Sequence, residues 1–164
     1  SLKRTVAKVA LQTTIAPEFS EKYPGSITIN SVKLSRAASQ SLIVAGEPST
    51  GAMTYTHTQT PGTASSKYNS LFYLYETGTL DAGSRVLLEI NATYDSDGSS
   101  STSYDRSEVI YSVELTGKAA GQILRNGYYR VAANITGLVG QDCQVSVTVA
   151  DWETPVTQSV DLGA

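Results

Sequence analysis

The strongest constraint on this chain is a period of two. Val86, Leu88, Ile90, Ala92 and Tyr94 fall on alternate positions, with Glu89, Asn91 and Thr93 between them. Successive side chains of a strand point to opposite faces, so this pattern buries one face and leaves the other to water. The same alternation returns in Val109, Tyr111, Val113 and Leu115, then in Tyr129, Val131, Ala133 and Ile135, and again in Cys143, Val145, Val147 and Val149. Near the start, Thr5, Ala7, Val9 and Leu11 share one face while Arg4, Val6, Lys8 and Ala10 share the other. No stretch repeats with a helical period. Ten tyrosines against two phenylalanines, with many Val and Thr, also favour strands.

Turn signals divide the alternating stretches. Pro17 ends the first one, and Phe19 to Gly25 reads as a connection whose Pro24-Gly25 pair marks a turn. In Ser26 to Leu34 the apolar phase slips at Ser31, from Ile27 and Ile29 to Val32 and Leu34, which predicts a bulge or a bend. Leu42 to Ala45 reads as a short strand or a packed loop. Glu47 to Lys67 is rich in Gly, Pro, Ser and Thr and reads mostly as a surface excursion, with Met53 to Thr58 as a small edge strand. Asn69 to Glu76 (NSLFYLYE) is a dense aromatic strand. Gly78 to Ser84, Asp95 to Ser103 and Gly117 to Gly121 turn the chain again.

The pattern predicts an all-β protein, an antiparallel β-sandwich of about seven strands. It occupies residues 1–152 as one domain, followed by a tail over 153–164. A chain of 164 residues buries about 70% of its unfolded surface, and neither half alone has strands enough for a separate core. An immunoglobulin domain is disfavoured, because the paired cysteines flanking a core tryptophan are missing.

Composition removes several function classes. A net charge of −3 with scattered basic residues is wrong for nucleic acid, and no basic run suits an anionic membrane surface. The single Cys143 rules out an intramolecular disulfide framework and a multi-cysteine metal site, and its alternation with Val145 and Val147 marks a small buried hydrophobe. No apolar run approaches the ~20 residues of a membrane span. No signal peptide heads the sequence, which reads as a mature chain, a fragment or a cytosolic protein.

Nothing in the sequence points to catalysis, a cofactor or a metal. His57 is the only histidine, and no G-x-S-x-G elbow accompanies it, so it reads as an exposed loop residue. Asp95-x-Asp97, with Asp105 beyond, matches the first two ligand positions of a calcium loop but lacks its later glycine and glutamate; a polar hairpin turn explains it. Tyr68, Tyr73, Tyr75, Tyr94, Tyr104, Tyr111, Tyr128 and Tyr129 could form an aromatic platform for sugars, although most alternate with aliphatics as core or sheet-surface residues do. Asn91-Ala92-Thr93 and Asn134-Ile135-Thr136 fit the glycosylation sequon inside expected strands.

Five segments in order carry a further signal: LKRTVAKVAL (Leu2 to Leu11), SITINSVKLS (Ser26 to Ser35), LFYLYE (Leu71 to Glu76), ILRNGYYRVAANITG (Ile123 to Gly137) and VSVTVADW (Val145 to Trp152). Together they resemble the fimbrillins, the type V pilins of Bacteroidales, and in particular the C-terminal domain of the two-domain members. Arg125-Asn126 before an aromatic-rich strand and the ending at Trp152 are the most specific parts. The resemblance implies a transthyretin-like sandwich, export as a lipoprotein precursor, and assembly into outer-membrane-associated fimbriae that support adhesion. It also implies that an Arg-specific protease removes an N-terminal strand and that the C-terminal tail of a neighbouring subunit fills the groove. On this reading the chain is a fragment, with the lipobox and a further domain upstream of Ser1, so any membrane link is a lipid anchor on that missing part. Arg4 is then a strand-edge residue rather than the maturation site.

The tail suits that role. Val156, Gln158, Val160 and Leu162 lie on one face of an extended segment, with Thr157, Ser159 and Asp161 on the other. Such a strand adds to a sheet edge through its backbone and places alternate side chains in a groove. The expected partners are other fimbrial subunits. A second reading makes the chain a surface adhesin module that binds a host glycan or protein.

Overall fold

The computed structural model describes residues 6–39, 53–60, 70–98, 106–116 and 120–138, and the backbone of 143–151. The 42–45 run, most of the 47–67 excursion, Tyr68, Tyr104, Asp105, Trp152 and the tail at Val156, Gln158, Val160 and Leu162 lie outside the described residues.

The alternating stretches become β1 (Val6–Ile15), β2 (Ser26–Ala37), β3 (Tyr55–Gln59), β4 (Ser70–Tyr75), β5 (Leu87–Asp95), β6 (Arg106–Glu114), β7 (Gly127–Ile135) and β8 (Cys143–Asp151). They form two four-stranded sheets, ordered β4-β1-β7-β8 and β3-β2-β5-β6. The expected sandwich is present. Its inward rows are those the alternation marks: Leu88, Ile90 and Ala92 of β5, Tyr111 of β6, and Tyr129, Val131, Ala133 and Ile135 of β7 are all buried. Burying one such aliphatic or aromatic side chain contributes about 1.5–3 kcal/mol, against roughly 0–1 kcal/mol for a surface ion pair. The rows therefore dominate the stability.

Two details go beyond the sequence reading. First, β1 pairs antiparallel with β4 but parallel with β7, from Lys8↔Tyr128 to Ile15↔Ile135. Alternation tells which face a residue occupies and says nothing of strand direction. Second, a helix, α1 (Pro17–Lys22), begins at the residue expected to end the first strand and runs into the 19–25 connection, with Pro17 in its first turn, Glu18 near its start and Lys22 near its end. Six residues are too few to show a helical period. Phe19 of α1 packs with Tyr23 and Tyr94 at centroid distances of 5.0 and 6.2 Å, closing one end of the sandwich. The small edge strand expected over Met53 to Thr58 is present as β3, paired antiparallel with β2 at the edge of its sheet.

The phase slip is real. The β2–β5 register shifts between Ile29 and Ser31, where the sequence changes phase. Gly25 makes the preceding turn possible. Its φ is 101°, and an added Cβ would lie 2.0 Å from the Asp95 carbonyl oxygen.

Candidate functional site

The outer faces of the two sheets differ in chemistry. On the β3-β2-β5-β6 sheet, polar groups are paired with one another. Lys33 meets Glu89 at 2.8 Å, Asn30 donates to Asn91 and Thr93, and Asn91 donates to Glu108. Arg36 of β2 bonds both Glu114 of β6 and the Gly83 carbonyl.

The outer face of the other sheet is aromatic and basic. In β4 the LFYLY pattern sends Phe72 and Leu74 inward, which leaves Leu71, Tyr73 and Tyr75 exposed at every second position. Register then sets their neighbours. Tyr73 lies opposite Lys8, which lies opposite Tyr128; Leu71 lies opposite Ala10, which lies opposite Arg130. The Lys8 ammonium and the Arg130 guanidinium both sit 4.9 Å from the centre of the Tyr128 ring. Cations at that distance are held by the ring's quadrupole. The outward positions of β1, β4 and β7 are Val6, Lys8, Ala10, Gln12, Thr14, Leu71, Tyr73, Tyr75, Tyr128, Arg130, Ala132 and Asn134, and none is acidic. Among these described positions the formal charges are all positive, in a chain whose net charge is −3. The acid next along, Glu76, is committed to Arg125 at 2.6 Å.

Where β4 meets the second sheet, Val6, Ala38, Tyr55, Tyr73, Leu74 and Tyr75 line a cavity of about 160 Å³. Two contacts hold this corner shut. Ala38 forms an antiparallel bridge with Tyr75, and the Gln59 side-chain amide both donates to the Leu71 carbonyl and accepts from its N–H. Gln59 thereby occupies backbone groups that an edge strand would otherwise offer to another chain.

The remaining sequence candidates separate cleanly. Of the tyrosines raised as a platform, Tyr73, Tyr75 and Tyr128 reach the outer face, whereas Tyr94, Tyr111 and Tyr129 are buried. Tyr55 joins the cavity although sequence reasoning did not single it out. It sits in a polar MTYTHT stretch whose residues are mostly exposed, so no burial pattern marked it. His57 is exposed on β3, with its ring edge-on to Phe72 at 5.9 Å. Asp95 is taken by Arg106 at 3.4 Å. The two sequon asparagines lie within β5 and β7, as expected, where Asn91 pairs with Asn30 and Asn134 accepts from Thr14. Among the described residues no helix is long and apolar enough to cross a membrane.

One buried phenol responds to pH. Tyr129 is fully buried, which pushes its hydroxyl above the usual phenol range; the Leu124 N–H, donating to it at 2.7 Å, pulls partly back. Its folded-state value is therefore raised, so the folded chain holds a proton that the unfolded chain loses near pH 10. The stability it contributes is complete below that point and falls as pH rises beyond it. Denaturant melts above pH 10 are expected to show this decline, and Tyr129→Phe should reduce its slope.

No protein-family model matches this chain, and no curated protein matches it. Solved structures do. A candidate cell-adhesion protein of Parabacteroides distasonis matches with a TM-score of 0.64 and 16% identity, covering 96% of this chain and 54% of its own. A fimbrilin of Porphyromonas gingivalis matches with a TM-score of 0.57 and 16% identity, covering 95% of this chain and 60% of its own. The tip fimbrial protein Mfa3 of the same species, solved with a C-terminal truncation, matches with a TM-score of 0.52 and 13% identity over 92% of this chain and 52% of its own. The chain shares the fold of these Bacteroidales fimbrial and cell-adhesion proteins, in agreement with the resemblance carried by its motifs. It spans about half to three fifths of their length.

Proposed function

We propose that this chain is part of a structural subunit of a cell-surface fimbria, that it supports adhesion, and that it performs no catalysis. The observation that carries this reading is fold similarity across nearly the whole chain to a fimbrilin and to a tip fimbrial protein. The five ordered sequence motifs favour the same class independently. The partners are other subunits of the filament, and the location is an extracellular appendage. A lipid anchor on a segment upstream of Ser1 would tie the precursor to the outer membrane.

Assembly proceeds by strand donation from residues 153–164. Two features support this. The tail alternates Val156, Gln158, Val160 and Leu162 with polar residues, as a donated strand does. In the sequence it also follows closely on β8, an edge strand of its sheet. The β4 edge on the far side of that sheet is already engaged by Ala38 and Gln59, whereas β8 and β6 end the two sheets on the opposite side.

Removing residues 153–164 from the full-length protein is expected to leave this domain folded, with an unchanged melting curve, and to abolish polymer formation. Electrophoresis of unheated samples reads the polymer ladder, and electron microscopy reads the filaments. Filaments of normal length from the truncated protein would reject strand donation by the tail.

A further inference from the structure

We propose that the outer face of the β4-β1-β7 strands binds an acidic glycan. One sugar ring sits in the cavity lined by Tyr55, Tyr73 and Tyr75, and its carboxylates lie toward Lys8 and Arg130. This site stands apart from the assembly reading, because it uses neither the tail nor the β8 and β6 edges on the opposite side of the sandwich.

Shape gives the first part of the argument. Scattered exposed aromatics are ordinary, but here three tyrosines converge from two strands on one concavity of about 160 Å³. That is below the ~300 Å³ of drug-sized pockets and suits a single pyranose. Tyrosine rings present a flat apolar surface to the C–H face of a sugar and a hydroxyl to its edge. Ala38 and Leu74 complete the apolar wall.

Charge gives the second part. Lys8 lies one strand from Tyr73, and Arg130 lies one strand further, both drawn to Tyr128. Adjacent strands are ~4.8 Å apart, so the two cations extend the cavity across the sheet over the span of a disaccharide. The outward positions of these strands carry Lys8 and Arg130 and no acid, so their summed formal charge favours a carboxylate. Arg130 brings a planar fork suited to a carboxylate, and Lys8 a point charge.

The same features discriminate against other polyanions. Single-stranded nucleic acid needs a basic groove that follows several phosphates, and an anionic membrane needs a cluster of about 4–8 basic residues. Two cations beside one sugar-sized cavity fit a ligand with widely spaced charges.

The test is calorimetric titration of the 164-residue chain with a hexamer of galacturonic acid, a neutral maltohexaose, and single-stranded DNA of similar charge. The acidic hexamer is expected to bind at least about tenfold tighter than the neutral one, and more weakly as salt rises. Tyr73→Ala and Lys8→Gln should each weaken it about tenfold, the size of one stacking or one cation contact. Ile110→Ser, on the opposite sheet, should leave it unchanged; melting curves confirm that each variant is folded. Absence of saturable binding, equal binding of the neutral hexamer, or DNA binding as tight as the glycan would each overturn the proposal. Failure here leaves filament assembly unaffected, so the two readings can fail separately.

Discussion

Tyr111→Ala should destabilise the domain by about 3–5 kcal/mol, the range for removing a large aromatic from a close-packed core. Tyr111 is wholly buried on β6, opposite Ile90 of β5. Its hydroxyl donates to the Gly137 carbonyl just after β7, so one side chain joins the two sheets. Tyr111→Phe separates the two contributions. It keeps the ring and leaves the carbonyl without this donor, at an expected cost of about 1–3 kcal/mol. Set against a typical domain stability of about 5–15 kcal/mol, the alanine variant should melt roughly 10 °C lower. Thermal and urea melts of the two variants check both figures. A loss under 1 kcal/mol for the alanine change would mean that the sheets are held together elsewhere.

The second large effect falls on Glu76 and Arg125. Both side chains are about nine-tenths buried, and the Arg125 Nη2 and Nε donate to one Glu76 oxygen at 2.6 and 3.2 Å. A buried charge that loses its partner is left desolvated and uncompensated, so Glu76→Ala or Arg125→Ala alone should cost about 3–5 kcal/mol. Replacing both together, Glu76→Leu with Arg125→Met, should cost far less than the sum, because neither charge then remains. A double-mutant cycle in urea reads the coupling directly. Strictly additive single effects would show that the pair does not act as a unit.

That pair also explains a motif which the sequence offered only as a resemblance. In Arg125-Asn126-Gly127 followed by Tyr128 and Tyr129, each residue has a separate task. Arg125 neutralises Glu76 at the end of β4. Asn126 takes φ 61°, a left-handed turn that asparagine tolerates better than most residues, and its N–H donates to the Val6 carbonyl. Gly127 leaves room for the next aromatic: an added Cβ would lie 2.8 Å from the Tyr129 ring. Tyr128 and Tyr129 then point to opposite faces, one to the basic surface and one to the core. The residue types were visible in the chain, whereas Glu76 and Val6, the partners of Arg125 and Asn126, lie 49 and 120 positions away.

Other features divide along the same line. Faces were legible wherever alternation was regular, as in β5 and β7, and a phase slip was enough to locate the bulge in β2. Pairing was not. The parallel β1–β7 register places Tyr128 beside Lys8, and together with the antiparallel β1–β4 register, which places Tyr73 there too, it turns separate tyrosines and cations into one surface. Tyr55 escaped notice for a related reason, since its role depends on β3 folding back toward β4 rather than on its own neighbours. The tail followed the opposite course: its pattern is plain in the sequence, and its proposed partner is a different molecule.

In the proposed assembly, residues 153–164 enter the sheet of a neighbouring subunit. Amide hydrogen exchange on monomer and on assembled filament tests it most directly. Strand donation requires protection across 156–162 that appears on assembly, as new backbone hydrogen bonds form along a sheet edge. Protection of those amides that is already complete in the monomer, or absent from the filament, would contradict it.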